Sequence, residues 1–287
     1  MRIIHTLDEM TETARGWLAG GSVGFVPTMG YLHRGHLSLV EAARKECEIS
    51  VVSIFVNPLQ FSTREEFEHY PRDLTRDIQL LRTSQVDVVF VPREEDFYPP
   101  DFSTYVTPFG PLSERLEAAH NTQYMHGMAT ATAKLLQLVR PDVAYFGQKD
   151  LQQFTVVRRL VRDLNIDVYL HSMPTVRDSD GLALSSRNHR LLPNERRAAS
   201  VLYRALLHGK SLIEGGELNP DVVEQAMTAL VAAEPSISLS YVAVCHPDTF
   251  EPVQQAAPKT MLAIAVSIGG IRLIDNIVWL GENHWLL

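Results

Sequence analysis

Two histidines three residues apart, His33 and His36, stand in the stretch PTMGYLHRGH with Arg34 and Gly35 between them, directly after the apolar run VGFVP. Such a pair can be two surface residues, or two ligands of a metal that would need further ligands and supporting partners elsewhere. A third chemistry arises from their place. If the apolar run is a strand and the histidines open a helix, the free amides and dipole of the helix start make an anion site. Gly30 and Gly35 would let the backbone approach a phosphate closely. Imidazoles added there can donate hydrogen bonds to phosphate oxygens that gain charge in a transition state. Strand, turn, glycine and H-x-G-H together read as a phosphate-binding element of a nucleotide site.

Two further stretches carry the same kind of chemistry. In FGQKD, Lys149 follows a strand-like run, and its ammonium could neutralise a phosphate or a departing pyrophosphate. In LALSSRN, the hydroxyls of Ser185 and Ser186 lie beside Arg187, whose guanidinium binds oxyanions as a fork. The plain alternative for this stretch is helix capping, with Asn188 as the cap. Gln60 in FVNPLQF and Gln153 in KDLQQ also come after expected strand ends. Neutral amides there could hydrogen-bond a small polar substrate without adding charge. No Ser-His-Asp or Cys-His constellation is visible, so a covalent enzyme intermediate is not expected.

These residues need elements to hold them. SVGFVP, ISVVSIFV, VDVVFVP, DVAYFG and IDVYLHSMP read as strands, with the proline of the first marking a turn. HLSLVEAARKE, RDLTRDIQLLRTSQ, MATATAKLLQLVRP and LQQFTVVRRLVRDLN read as the helices between them. Alternation of this kind predicts a parallel sheet covered on both faces, with ligands beyond the carboxyl ends of its strands near a switch point. After PTVRDSDG the order changes to the helices NERRAASVLYRALLHGKSLIEGG and NPDVVEQAMTALVAAEP, and then to the strands LSYVAVC, TMLAIAVSI and IRLIDNIVWL. The expected architecture is a Rossmann-like α/β domain over residues 1–175 and a smaller α+β domain over 176–287.

The 287 residues suffice for a sizeable core, and 45% hydrophobic with 21% charged residues is ordinary for a soluble globular chain. A net charge of −8 excludes a general nucleic-acid binder, so an anionic substrate must be held by local cations and amides. The two cysteines, Cys47 and Cys245, lie far apart. They point to a reduced, cytoplasmic protein without a structural zinc site. The N-terminal MRIIHTLDEMTETARG has no long apolar core, so no secretory signal is expected. MLAIAVSI is too short for a bilayer span, which takes about 20 residues.

Taken in order, VPTMGYLHRGH, SIFVNPLQF, YPRDL, KLLQLVRPDVAYFGQKDLQQ, VRDSDGLALSSRN and RLIDN resemble the pantoate–β-alanine ligase family over nearly the whole chain. H-x-G-H alone would indicate only the wider nucleotidyltransferase superfamily, in which SSRN looks like the second phosphate-binding signature. The resemblance implies condensation of pantoate with β-alanine, driven by ATP with Mg²⁺ and releasing AMP and pyrophosphate through a pantoyl-adenylate. It implies ATP contacts from Met29, Gly30, Tyr31, Leu32, His33, Arg34, Gly35 and His36, with His36 as proton donor and His33 and Lys149 as catalytic partners. Gly147, Gln148, Lys149, Asp150, Val176, Leu184, Ser185, Ser186 and Arg187 complete the implied nucleotide site. Gln60 and Gln153 match the pantoate-binding glutamines, and Asn57 lies with them. Asp77 is the one implied metal-side carboxylate, Mg²⁺ being held mainly by the ATP phosphates. A homodimer joined through the first domain is also implied.

The chain departs from the family pattern at Gln148, usually Glu, and at Leu151, usually aromatic. The larger departure is NTQYMHG, where the family typically reads R-P-G-H-F-x-G, so that Asn121 and Tyr124 replace an arginine and a histidine. Two competing readings are a nucleotidyltransferase with another acceptor and a nucleotide-binding regulator that has lost its chemistry.

Overall fold

The computed structural model describes residues 1–17, 20–282 and 284–287. Its first layer is a six-stranded sheet built from β1 (Arg2–Ile4), β2 (Val23–Thr28), β3 (Ile49–Ile54), β4 (Val88–Phe90), β5 (Val143–Gly147) and β6 (Tyr169–Met173). The strands lie in the order β1-β4-β3-β2-β5-β6, and every pairing is parallel. The long apolar runs in the sequence have a simple cause: neighbouring residues of each strand enter different cores. Val26, Val52, Val89 and Tyr145 pack on Leu39, Val40 and Ala43 of the Arg34–Glu46 helix and Leu81 of the Leu74–Thr83 helix. Their neighbours Phe25, Val51, Val88 and Ala144 face Met10 and Ala14 of the Leu7–Trp17 helix and Leu135, Leu136 and Val139 of the Thr122–Val139 helix.

Several local expectations change. Pro27 lies inside β2, paired with Ser53, and the turn begins only after Thr28. The Leu7–Trp17 helix and β1 carry little sequence signal, because the helix buries only Met10 and Ala14 and β1 has three residues. The single helix expected from NERRAASVLYRALLHGKSLIEGG is two, Pro193–Ala198 and Val201–Glu214. At the break the Ser200 hydroxyl donates to the Arg197 carbonyl, a local bond that competes with helix continuation.

The second layer is an antiparallel sheet of β7 (Ile237–Cys245), β8 (Thr260–Ile268), β9 (Ile271–Gly281) and β10 (His284–Leu286), in the order β10-β9-β8-β7. Leu262, Ile264, Val266 and Ile268 of β8 pack on Leu202, Ala205 and Leu206 of the Val201–Glu214 helix and on Val223 and Met227 of the Pro220–Ala232 helix. The alternate residues Met261 and Ala263 face Met125 and Ala129, together with Val156, Val157 and Leu160 of the Leu151–Asp163 helix. Both faces of β8 are thus covered, which explains its nearly continuous apolar sequence. The second sheet thereby rests on the helices that lead into and out of β5.

Strand order runs outward from β2 through β3 and β4 on one side and through β5 and β6 on the other. The order in which strands are added therefore reverses between β2 and β5, and a crevice opens at their carboxyl ends. Among the described residues no helix is long and apolar enough to cross a membrane.

Candidate active site

The loop after β2 is tied down before it reaches the histidines. Thr28 donates its hydroxyl to the Ser53 carbonyl at 2.7 Å and accepts the Gly30 amide at 3.1 Å. Gly30 takes φ 79°, and a Cβ there would lie 3.0 Å from Ile54 Cγ2 and 3.1 Å from the Asp77 carboxylate. Only glycine fits that turn. The next two amides, Tyr31 N–H and Leu32 N–H, donate to Asp77 Oδ2 and Oδ1 at 2.7 and 2.8 Å.

Gly30 is required by Ile54 and Asp77 beside it. Asp77 is buried with each oxygen accepting a backbone amide, and so it anchors the loop.

His33 caps the Arg34–Glu46 helix. Its Nδ1 accepts the Gly35 amide at 3.2 Å, and His36 Nδ1 accepts the His33 amide at 3.3 Å, a reciprocal cap closed by two imidazoles. In a neutral ring with Nδ1 accepting, the proton sits on Nε2, so both rings are left with an Nε2–H to donate. The rings stack with centroids 4.0 Å apart. Burial, reinforced by the Lys149 charge, lowers the His33 pKa to about 4. Burial and the adjacent His33 push His36 well below its ordinary value. Near neutral pH the pair consists of two uncharged donors. Gly35 lies against the His33 ring, where a Cβ would come 3.0 Å from Nδ1.

Lys149 enters from the neighbouring strand. The turn Gln148–Asp150 comes directly after β5, and Asn276 of β9 clamps it by donating from Nδ2 to the Gln148 and Lys149 carbonyls at 3.1 and 2.9 Å. Lys149 Nζ lies 3.2 Å from Asp150 Oδ1, a pair whose lysine is nearly buried. The Gln148 side chain, expected near nucleotide, is instead buried against the second sheet, donating from Nε2 to the Leu286 carbonyl at 3.1 Å. Asp275, beside Asn276, forms a buried two-pronged pair with Arg177 at 2.5 and 3.0 Å. Asn276, Asp275 and Arg177 lie in the RLIDN and VRDSDG segments, whose residue types alone suggest no role.

The segment carrying the serines folds back as a narrow hairpin, in which the Leu184 amide donates to the Val176 carbonyl at 2.9 Å. Ser185, not Asn188, caps the adjoining turn by accepting the Arg187 amide, while Asn188 donates to the Ala183 carbonyl. Ser186 donates to the Tyr31 carbonyl at 3.3 Å, which joins this element to the histidine loop.

The remaining wall is an amide network. Asn57 is 1% exposed and fully satisfied: Nδ2 donates to Gln60 Oε1 at 2.8 Å and to the Gly127 carbonyl at 3.0 Å. Its Oδ1 accepts from the Leu59 amide and the Tyr98 hydroxyl. Asn57 therefore sets the orientation of Gln60 by holding its carbonyl end. Gln153 donates from Nε2 to the Tyr124 hydroxyl. Asn121, where the family pattern has arginine, caps the Thr122–Val139 helix and donates to Ser62 at 2.7 Å.

These groups enclose two joined chambers. The inner one, of about 200 Å³, is lined by Met29, His33, Gly35, His36, Asn57, Gln60, Gly147, Lys149, Asp150, Gln153, Val176, Leu184, Ser185, Ser186 and Arg187. The outer one, of about 530 Å³, shares Gln60, Tyr124, Lys149, Asp150, Gln153, Ser185 and Arg187 with it. The structure thus brings together most of the residues singled out in the sequence. Gly30, Tyr31, Leu32, Arg34, Asp77 and Gln148 lie outside both walls. Leu32 is buried, and Arg34 pairs with Asp178 at 3.0 Å. Residues that sequence reasoning missed in the inner wall include Phe55, Tyr70 and Met128.

The family model for pantoate-beta-alanine ligase matches residues 2–278. The pantothenate synthetase of Thermosipho africanus is 47% identical over 279 residues, 97% of this chain and 100% of the relative. The crystal structure of pantothenate synthetase from Thermus thermophilus superposes with a TM-score of 0.91 at 45% identity, covering 96% of this chain and 98% of that one. The pantoate-beta-alanine ligase from Francisella tularensis, solved in complex with beta-gamma ATP and beta-alanine, gives 0.82 at 31% identity, covering 99% and 100%. A switch-point crevice holding H-x-G-H, Lys149 and the two glutamines, on a fold shared end to end with these proteins, places the chain in the pantoate-beta-alanine ligase family.

Proposed function

We propose that this protein joins pantoate to β-alanine at the expense of ATP, through a pantoyl-adenylate formed in the inner chamber. The observation that carries this reading is the convergence of two neutral Nε2–H donors and the Lys149 ammonium on the cavity that the Gln60 and Gln153 amides also line. A carboxylate does not acylate an amine usefully, because oxide is a very poor leaving group. Attack of a pantoate carboxylate oxygen on the α-phosphorus breaks the bond to the β-phosphate and releases pyrophosphate. The amine nitrogen of β-alanine then bonds to the acyl carbon, the acyl–phosphate oxygen bond breaks, and AMP leaves as the amine loses a proton to solvent.

In this mechanism His33 and His36 act as fixed hydrogen-bond donors to the phosphate oxygens. Their low pKa values make a hydrogen-bond role chemically stronger than the proton-donor role implied for His36. Lys149 neutralises charge on the departing pyrophosphate, and Arg187 with the two serines holds the terminal phosphates. Gln60 and Gln153 bind pantoate.

Among the described residues no group of three or more histidines, cysteines or carboxylates is arranged around a metal. The residues fit a Mg²⁺ ion carried on the ATP phosphates, with Asp150, which lines the inner chamber beside Lys149, as the carboxylate that would hold it. Mg²⁺ bound there would supply further charge neutralisation on the phosphates.

A division of the chain near Val176, a homodimer and a cytoplasmic location belong to the same reading. They are supported by the separate sheets, the family resemblance and the free, buried cysteines Cys47 and Cys245. The test is AMP release from ATP with pantoate and β-alanine varied independently. Pantothenate formation that requires both is expected. AMP release indifferent to pantoate would overturn the reading.

A further inference from the structure

Tyr124 stands where the family pattern has histidine, and it bonds one glutamine while lining the chamber beside the other. Its phenol oxygen accepts an N–H from the Gln153 amide, and the neighbouring Gln60 has its carbonyl end fixed by Asn57. A phenol oxygen can accept hydrogen bonds and carries one proton. With the Gln153 amide donating to that oxygen, the phenol's own proton remains to be donated. Burial raises the Tyr124 pKa above its ordinary value, so that proton stays in place across the working pH range. Accepting that hydrogen bond also polarises the O–H and strengthens it as a donor.

The polar groups facing the cavity at this end can be counted from valence. Each glutamine amide keeps at least one further N–H and Tyr124 keeps its O–H, while Gln60 Oε1 already accepts from Asn57 and Gln153 Oε1 is left to accept. A wall with more donors than open acceptors matches an oxygen-rich neutral group that can itself donate one proton, which describes an alcohol. The carboxylate of the acid must reach His33, His36 and Lys149, which line the same chamber. We propose that Tyr124 is a substrate-binding residue that selects a hydroxy acid, its O–H donating to a hydroxyl oxygen of the acid while Gln153 Oε1 accepts that hydroxyl's proton. The proposal rests on the placement of pantoate at Gln60 and Gln153.

The test compares wild type, Tyr124→Phe and Tyr124→His with pantoate and with its 2-deoxy and 4-deoxy analogues. Phenylalanine keeps the ring and removes the donor. KM for pantoate should rise about 10-fold in Tyr124→Phe, while KM for ATP and β-alanine stays within about twofold. One deoxy analogue should bind wild type about 10-fold more weakly, yet lose little further in Tyr124→Phe, because the two changes remove the same hydrogen bond. Tyr124→His retains an N–H and should keep most of the preference for pantoate over that analogue, which also serves if the phenylalanine variant fails to fold. An unchanged pantoate KM in Tyr124→Phe, or losses that multiply for both analogues, would overturn the proposal while leaving the ligase reading intact. Failure of the wild type to use pantoate at all would overturn both.

Discussion

Replacing Asp77 by asparagine separates the anchor role from a metal role. The carboxylate accepts two backbone amides at 2.7 and 2.8 Å and is 1% exposed, so solvent does not screen either bond. Asparagine keeps one acceptor oxygen and turns an NH₂ toward the other backbone N–H. One charge-assisted bond is lost, worth roughly 1.5–3 kcal/mol, and the survivor weakens to an ordinary bond. The expected loss is about 2–4 kcal/mol, a large fraction of a typical folding free energy. Urea unfolding reads this directly as a lower midpoint at unchanged slope. Loosening Tyr31 and Leu32 also frees the residue before His36's capping partner, so kcat should fall although Asp77 lines neither chamber. The Mg²⁺ concentration giving half-maximal rate should not move. A stability loss below about 1 kcal/mol with a clear shift in that Mg²⁺ requirement would refute the anchor and reinstate Asp77 as a metal-side carboxylate.

Other substitutions address the remaining elements. Lys149→Ala should slow adenylate formation in single-turnover measurement far more than amine transfer; the opposite pattern would remove it from the phosphate end. His36→Ala should lower turnover on the order of 100-fold to 1000-fold, as loss of one transition-state donor does, and rapid-quench kinetics would locate the loss in the first step. Asn57→Ala frees Gln60 to rotate, so KM for pantoate should rise while KM for ATP holds; equal changes in both would count against its positioning role. His33 titrates at about 4 when folded against 6.5 in the unfolded chain, so the unfolded state binds the proton first on acidification. The stability tied to its neutrality is therefore complete above pH 6.5 and lost as pH falls toward 4, and a His33→Gln variant should flatten that part of the stability profile.

The sequence by itself determined the parallel sheet and the phosphate elements. A strand covered on both faces is apolar at most positions, so β2, β3 and β5 stand out as nearly continuous apolar runs. Because those strands are parallel, the segments leaving their carboxyl ends must share one edge of the sheet. His33, Lys149 and the glutamines were legible for that reason: each sits a few residues past such a run. Short or weakly buried elements such as β1 and the Leu7–Trp17 helix leave no comparable pattern.

Only the tertiary structure decided which way the polar side chains point. Asp77 and Gln148 both occur in segments that look like site residues, yet one is claimed by amides 45 and 46 positions away and the other by a carbonyl 138 positions away. Asn57 and Asn276 show no special local pattern, and their roles exist only because Gln60, Gly127 and the Lys149 turn are carried up to them. A buried polar group must find its partner, and for these residues the partner comes from another part of the chain. Local sequence records the residue's type, while packing between distant elements chooses what it holds.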